Sequence, residues 1–181
     1  EIVTPPVEFL AGFDQGSYVA RSGIAGYHVP QGYLNGEQDG TDYAFVFLTD
    51  PIGNDLGWME VGSLSQSEIS ALVAGGGPDI LQAGYSYDQQ GVMTGNLDCP
   101  ILDVTADNRL IHQCDTLQGD SGSPLFVDDG GTFRIIGVES HTEAQPRESY
   151  DLNVAMYTDY ILAEMQTLGT GTPAQPARPR K

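Results

Sequence analysis

The sequence predicts an all-β protein, on three observations. Short runs rich in Val, Ile, Tyr and Phe recur at 7–10, 18–29, 43–48, 80–85, 91–97, 109–113, 124–127, 132–140 and 153–157. Twenty-three glycines and eleven prolines punctuate those runs. Only two segments carry a helical period, too few to supply the crossovers that a parallel α/β sheet needs. A barrel or sandwich of antiparallel strands follows.

The first helical segment, 63–74, offers Ser65 or Ser67 as a cap ahead of Glu68 and Ile69. It runs into Gly75-Gly76-Gly77-Pro78, which limits it to one or two turns. The second, 158–168, has Thr158 or Asp159 as N-cap and Ile161, Leu162, Met165 and Leu168 on one face, with Gly169 beyond its end. Residues 169–181 have no apolar periodicity and read as a disordered tail or linker. No internal repeat is present.

At 181 residues the chain has room for one sizeable domain or a pair of small barrels. Its longest apolar runs, 44–48 and 135–138, are far too short to span a bilayer, so no membrane partner is expected. The formal charge is −18, and three of the seven basic residues, Arg178, Arg180 and Lys181, crowd the last four positions. Such a surface repels nucleic acid, and its acidity is read as a device for solubility.

The two cysteines, Cys99 and Cys114, are 15 positions apart, in a segment that reads as two strands and a turn. That spacing suits a disulfide across a hairpin, worth about 3 kcal/mol through the unfolded chain, and implies an oxidising compartment, secreted or periplasmic. Two buried free thiols in a cytosolic protein are the alternative. Two cysteines and three scattered histidines form no cluster at ligand spacing, so neither metal nor cofactor is expected.

The chemistry is concentrated in Gly119-Asp120-Ser121-Gly122-Ser123-Pro124. A serine becomes a nucleophile when a base takes its proton and backbone N–H groups face the oxyanion that forms. Glycines on both sides let the chain turn tightly, so the amides of Gly119 and Ser121 can point into one small pocket. Strand-like runs flank the motif on both sides, whereas the elbow of an α/β-hydrolase needs a helix after it.

His112-Gln-Cys-Asp-Thr116-Leu-Gln-Gly-Asp-Ser-Gly-Ser-Pro-Leu-Phe126 resembles the nucleophile segment of trypsin-like serine proteases, especially the secreted branch that includes glutamyl endopeptidases. Asp42-Tyr43-Ala44, an apolar strand and then Leu48-Thr-Asp-Pro-Ile-Gly53 are similar to that family's aspartate motif. Gly84-Tyr85-Ser86-Tyr87-Asp88 resembles a strand end of the same branch. Together the matches span about 5–168 in family order. The resemblance implies a double antiparallel β-barrel of chymotrypsin type, its first barrel incomplete in this chain, closed by a C-terminal helix. Residues 1–62 would be the later part of the first barrel and 63–168 the second. Asp42 would orient and charge-stabilise a catalytic imidazole, Ser121 would attack the scissile carbonyl, and the amides of Gly119 and Ser121 would form the oxyanion hole.

The base is the departure. The family's histidine precedes its aspartate in a small-residue segment that does not occur here. His28, the one histidine before Asp42, sits in a strand and turn; His112 and His141 come after it. The expected arrangement is a serine endopeptidase acting on a protein or peptide, its histidine supplied by an N-terminal fragment of the same precursor, and inactive as this chain alone. A catalytically inactive homologue acting as a binding module, and an esterase using the same serine, are the alternatives. The resemblance implies a substrate pocket of Asp115, Thr116, Ser140, His141 and Thr142. Asp115 lies six residues before Ser121, where trypsin has its pocket carboxylate. Glutamyl endopeptidases carry a histidine at the position of Glu139, so the reading favours basic over acidic substrate residues, with Glu139 adding to the pocket's acidity.

Overall fold

Alternation along the chain produces two antiparallel sheets in the computed structural model, which describes residues 6–37, 40–89, 91–143 and 152–169. The first is the three-stranded sheet β1 (Glu8–Ala11), β2 (Ala20–His28) and β3 (Phe45–Leu48), paired in that order. The second contains β5 (Ile80–Gly84), β6 (Thr94–Asn96), β7 (Ile101–Val104), β8 (Arg109–His112), β9 (Pro124–Asp128), β10 (Phe133–Glu143) and β11 (Leu152–Tyr157). Their order is β6-β5-β9-β10-β11-β8-β7, and β4 (Glu60–Val61) pairs in parallel with β10. Every strand run expected from the sequence overlaps one of these strands, and β7–β8 is the hairpin expected between the cysteines. The two-residue β4 was not anticipated; it is too short to show a period.

The core belongs to the second sheet. Leu125 and Val127 point inward from β9, Ile80 from β5, Leu110 from β8 and Ile136 from β10, each at most 1% exposed. Leu64 and Leu72 pack on them from the segment that joins the sheets. The Cys99–Cys114 disulfide closes the β7–β8 hairpin at its base, with the two Cα atoms 4.9 Å apart. No buried apolar cluster forms around the first sheet among the described residues. Instead Phe9, Leu10, Phe13, Leu48, Leu56 and Trp58 help to line an open, largely apolar cavity of about 950 Å³.

Among the described residues there are also four α-helices. α1 (Gln31–Leu34) and α2 (Gly53–Leu56) are single turns, too short to leave a periodic signature. α3 (Gln66–Val73) begins on a capping box, with Ser65 Oγ accepting from Glu68 N–H and Glu68 Oε2 accepting from Ser65 N–H. α4 (Thr158–Thr167) follows β11 directly. Its cap differs from either expected residue: Tyr157 occupies the N-cap position, and the Thr158 hydroxyl faces the carbonyls of Gly62 (2.5 Å) and Ile136 (3.2 Å). Thr158 is fully buried, so its hydroxyl is satisfied by these carbonyls and not by the helix amides. Residues 170–181, most of the expected tail, lie outside the described residues. None of the described helices is long and apolar enough to cross a membrane.

Tyr157 ties the second sheet to the connecting segment: its Oη accepts from Leu64 N–H (2.7 Å) and donates to Leu64 O (3.1 Å). Burial, the largest influence, pushes its phenol up. Tyr157→Phe leaves both buried groups of Leu64 unpaired and is expected to cost about 1 to 3 kcal/mol, read as a fall in Tm. Glu68 is held at about 2, below its ordinary 4.5, by hydrogen bonds from Ser65 first and from Arg134 after it. A depressed carboxyl stabilises above its unfolded value and loses that contribution as pH falls through its folded one. The stability gap between wild type and Glu68→Gln should therefore be present at pH 6 and close towards pH 2. Because the side chain is 34% exposed, the gap should stay below about 1 kcal/mol.

Candidate active site

Ser121 sits in the loop between β8 and β9, on a backbone that few sequences allow. Gly119 has φ +106°, and a Cβ there would lie 2.7 Å from Tyr85 O and 3.0 Å from Tyr87 N. Glycine is thus required both by conformation and by the approach of a neighbouring chain. The loop is pinned by Tyr87 N–H to Gln118 O (2.9 Å), Asp120 N–H to Leu117 O (3.1 Å) and Ser123 N–H to Asp120 O (2.8 Å). Among the described residues, the amides of Gly119 and Ser121 have no backbone acceptor.

Asp120 is buried at 4% exposure. Its Oδ2 accepts from Leu117 N–H at 3.0 Å, while its buried Oδ1 has no hydrogen-bond partner among the described residues. A carboxylate oxygen left this way costs free energy unless a donor reaches it.

Asp42 arrives from the first sheet on a loop locked to the β7–β8 turn. Gly40 N–H donates to Asp107 O at 2.7 Å, and a Cβ on Gly40 would fall 2.5 Å from Asn108. Buried Asn108 has φ +67°, and its Nδ2 donates to Tyr157 O at 2.7 Å. Ser140 then joins the two candidate catalytic residues. Its carbonyl accepts from Ser121 Oγ at 3.2 Å, and its hydroxyl donates to Asp42 Oδ2 at 2.5 Å. That hydroxyl has one proton, committed to the carboxylate, so His141 Nδ1, 2.8 Å away, donates to Ser140 Oγ.

The residues expected to form a substrate pocket divide. Asp115, Thr116 and Thr142 line a cavity of about 500 Å³ beside the Ser121 loop, whereas Ser140 and His141 are not on its lining. Asn153, which sequence reading passed over because it opens the apolar run of β11, forms part of the wall. Its Nδ2 donates to Cys114 O at 2.5 Å and its Oδ1 accepts from Thr142 Oγ1 at 2.8 Å. Glu139 does not add its charge to that lining: it is buried beside His112, with Nε2 to Oε1 at 2.9 Å. His28 lies on β2 with its Nε2 2.6 Å from Glu164 Oε1 of α4, tying the first sheet to the closing helix.

No family model matches the chain. A glutamyl endopeptidase of Bacillus licheniformis is 30% identical over 101 residues, 55% of this chain but 29% of that protein's length. The match therefore spans less than a third of this relative. Among solved structures, a Glu endopeptidase in complex with MPD superposes with TM-score 0.70 at 18% identity, covering 90% of this chain and 70% of the other. Protease Anisep from Arthrobacter nicotinovorans gives 0.64 at 14% identity, covering 91% and 74%. An inactivated protease paralogue of the scabies mite gives 0.59 at 12% identity, covering 84% and 71%. With the strand order above, these likenesses show the fold of chymotrypsin-like serine proteases, its first barrel incomplete in this chain.

Gly119→Ala tests the loop. The positive φ and the contact with Tyr85 O predict a loss of about 1 to 3 kcal/mol in thermal unfolding, together with a displaced Ser121 in a crystal structure of the variant.

Proposed function

We propose that this chain is the aspartate- and serine-bearing part of a secreted serine endopeptidase, its catalytic histidine supplied by another segment of the same precursor. The observation that carries the reading is Ser140, whose carbonyl and hydroxyl touch Ser121 Oγ and Asp42 Oδ2 at once. An imidazole between the two would accept the proton of Ser121 as Oγ adds to the substrate carbonyl. Asp42 would hold that ring by its other nitrogen, and the amides of Gly119 and Ser121 would receive the oxyanion, each such donor contributing about 2.7 to 4 kcal/mol. The imidazolium then returns its proton to the departing amine, leaving an ester on Ser121 that water cleaves by the same route.

Two further features support a companion segment. Asp42 is exposed, leaving open the side on which a ring would pack. The cavity beside β1, walled by Phe9, Phe13, Leu48 and Trp58, is apolar enough to accept strands from another part of the precursor.

A second reading, a catalytically inactive homologue used as a binding module, is favoured by where the chain's own histidines sit. His28 faces Glu164, His112 faces Glu139 and His141 faces Ser140. Intact mass and N-terminal sequencing of the purified protein, with fluorophosphonate labelling, separate the two readings. The endopeptidase reading expects a histidine-bearing segment in the same particle, labelling of the wild type and none of Ser121→Ala. A native preparation that contains that segment and still resists labelling would establish the binding module.

Asp120 is expected to lock the loop through a donor to its unpaired Oδ1, for which a freshly cut amino terminus is suited. Asp120→Asn should lower the labelling rate by about tenfold or more with Tm little changed; an unchanged rate removes the idea.

A further inference from the structure

Beneath the candidate site lies a pair of ionisable side chains that the proposed reaction does not use. His112 on β8 and Glu139 on β10 are 0% and 4% exposed, with Nε2 and Oε1 2.9 Å apart. The approach is out of line, so neither atom has an aligned hydrogen bond among the described residues. Cys114 N–H donates to His112 Nδ1 at 3.2 Å. That nitrogen therefore carries no proton, and the ring proton sits on Nε2, facing the carboxylate. A ring without a proton on Nδ1 is not an imidazolium, so the pair buries two ionisable groups without forming a full ion pair. Such burial opposes folding, and two apolar side chains of similar volume would serve stability as well or better.

The backbone of Glu139 indicates what the pair does. Its N–H donates to Ser123 O at 2.9 Å and its carbonyl accepts from Gly122 N–H at 2.8 Å, clamping the two residues that follow Ser121. On the opposite side the register with β11 jumps from Glu139↔Ala155 to His141↔Val154, making Ser140 the extra residue of a β-bulge. A slip of one residue would turn Glu139 outward and Ser140 inward, breaking both contacts that Ser140 makes. We propose that the His112–Glu139 pair is a positioning pair, which fixes the bulge at Ser140 and through it the relative placement of Ser121 and Asp42.

The proposal rests on the endopeptidase reading, and its test separates the two. In the native protein, His112→Leu/Glu139→Leu should keep or raise Tm, since both partners go together. Its kcat on a peptide substrate should fall about 10- to 100-fold with KM within about threefold. Glu139→Gln, which keeps an acceptor oxygen, should retain kcat within about threefold. A folded double variant with kcat within twofold of wild type overturns the proposal. Should the double variant fail to fold, the ¹⁵N imidazole spectrum of the wild type decides: the Nε2–H tautomer of His112 at neutral pH supports the pair, and an imidazolium or Nδ1–H form overturns it. Should the wild type show neither turnover nor labelling, the endopeptidase reading falls by itself. Hydrogen exchange at the Gly122 amide then decides, faster in the double variant supporting the pair and equal rates overturning it.

Discussion

The rest of the candidate site depends on a single extra residue in one strand. Ser140 interrupts the β10–β11 ladder, and a residue outside the ladder has both its carbonyl and its side chain free to serve something else. Here they serve Ser121 and Asp42, which belong to different sheets and are 79 positions apart in the chain. A regular strand would have spent the carbonyl on its neighbour and turned the hydroxyl to whichever face alternation demanded. The bulge is also where the two halves of the molecule exchange a charge-assisted hydrogen bond, Ser140 to Asp42, which is stronger than a neutral one.

Around that bulge the molecule spends its rigid parts. The second sheet has a dry core, a disulfide at the base of one hairpin, and Tyr157 and Thr158 fastening its last strand to the segment that joins the sheets. The first sheet has no comparable core among the described residues and is held largely at its edges. His28 pairs with Glu164, Gly40 with Asp107, and Tyr85 Oη donates to Phe13 O at 2.6 Å. Asp42 thus comes from the less buried sheet but is fixed by the better packed one.

Where sequence reading and structure part, the cause is geometric. Thr158 was an expected cap because hydroxyl residues at helix starts commonly bond the first amides. Here the hydroxyl is buried against the carbonyls of Gly62 and Ile136, and Tyr157 enters the helix from an extended conformation. Glu139 reads as a pocket residue by its position in β10. Its side chain nevertheless turns inward, where His112, 27 positions earlier, reaches the same interior point from β8, on the far side of β11. Asn153 carried no signal at all, since an amide before an apolar run is ordinary, and only its hydrogen bonds to Cys114 and Thr142 make it part of a wall.

Local sequence alone determined the strand runs, the capped helix α3, the hairpin with its disulfide, and the Gly-Asp-Ser-Gly turn. Each of these is decided within about fifteen residues by period, glycine freedom or cysteine spacing. Tertiary structure decided which side chains meet: Ser140 with Asp42, His112 with Glu139, His28 with Glu164, and Asn153 across the cavity. Those meetings depend on ladder register and on one bulge, and a shift of a single residue there reverses which face a side chain occupies, a quantity no local pattern records.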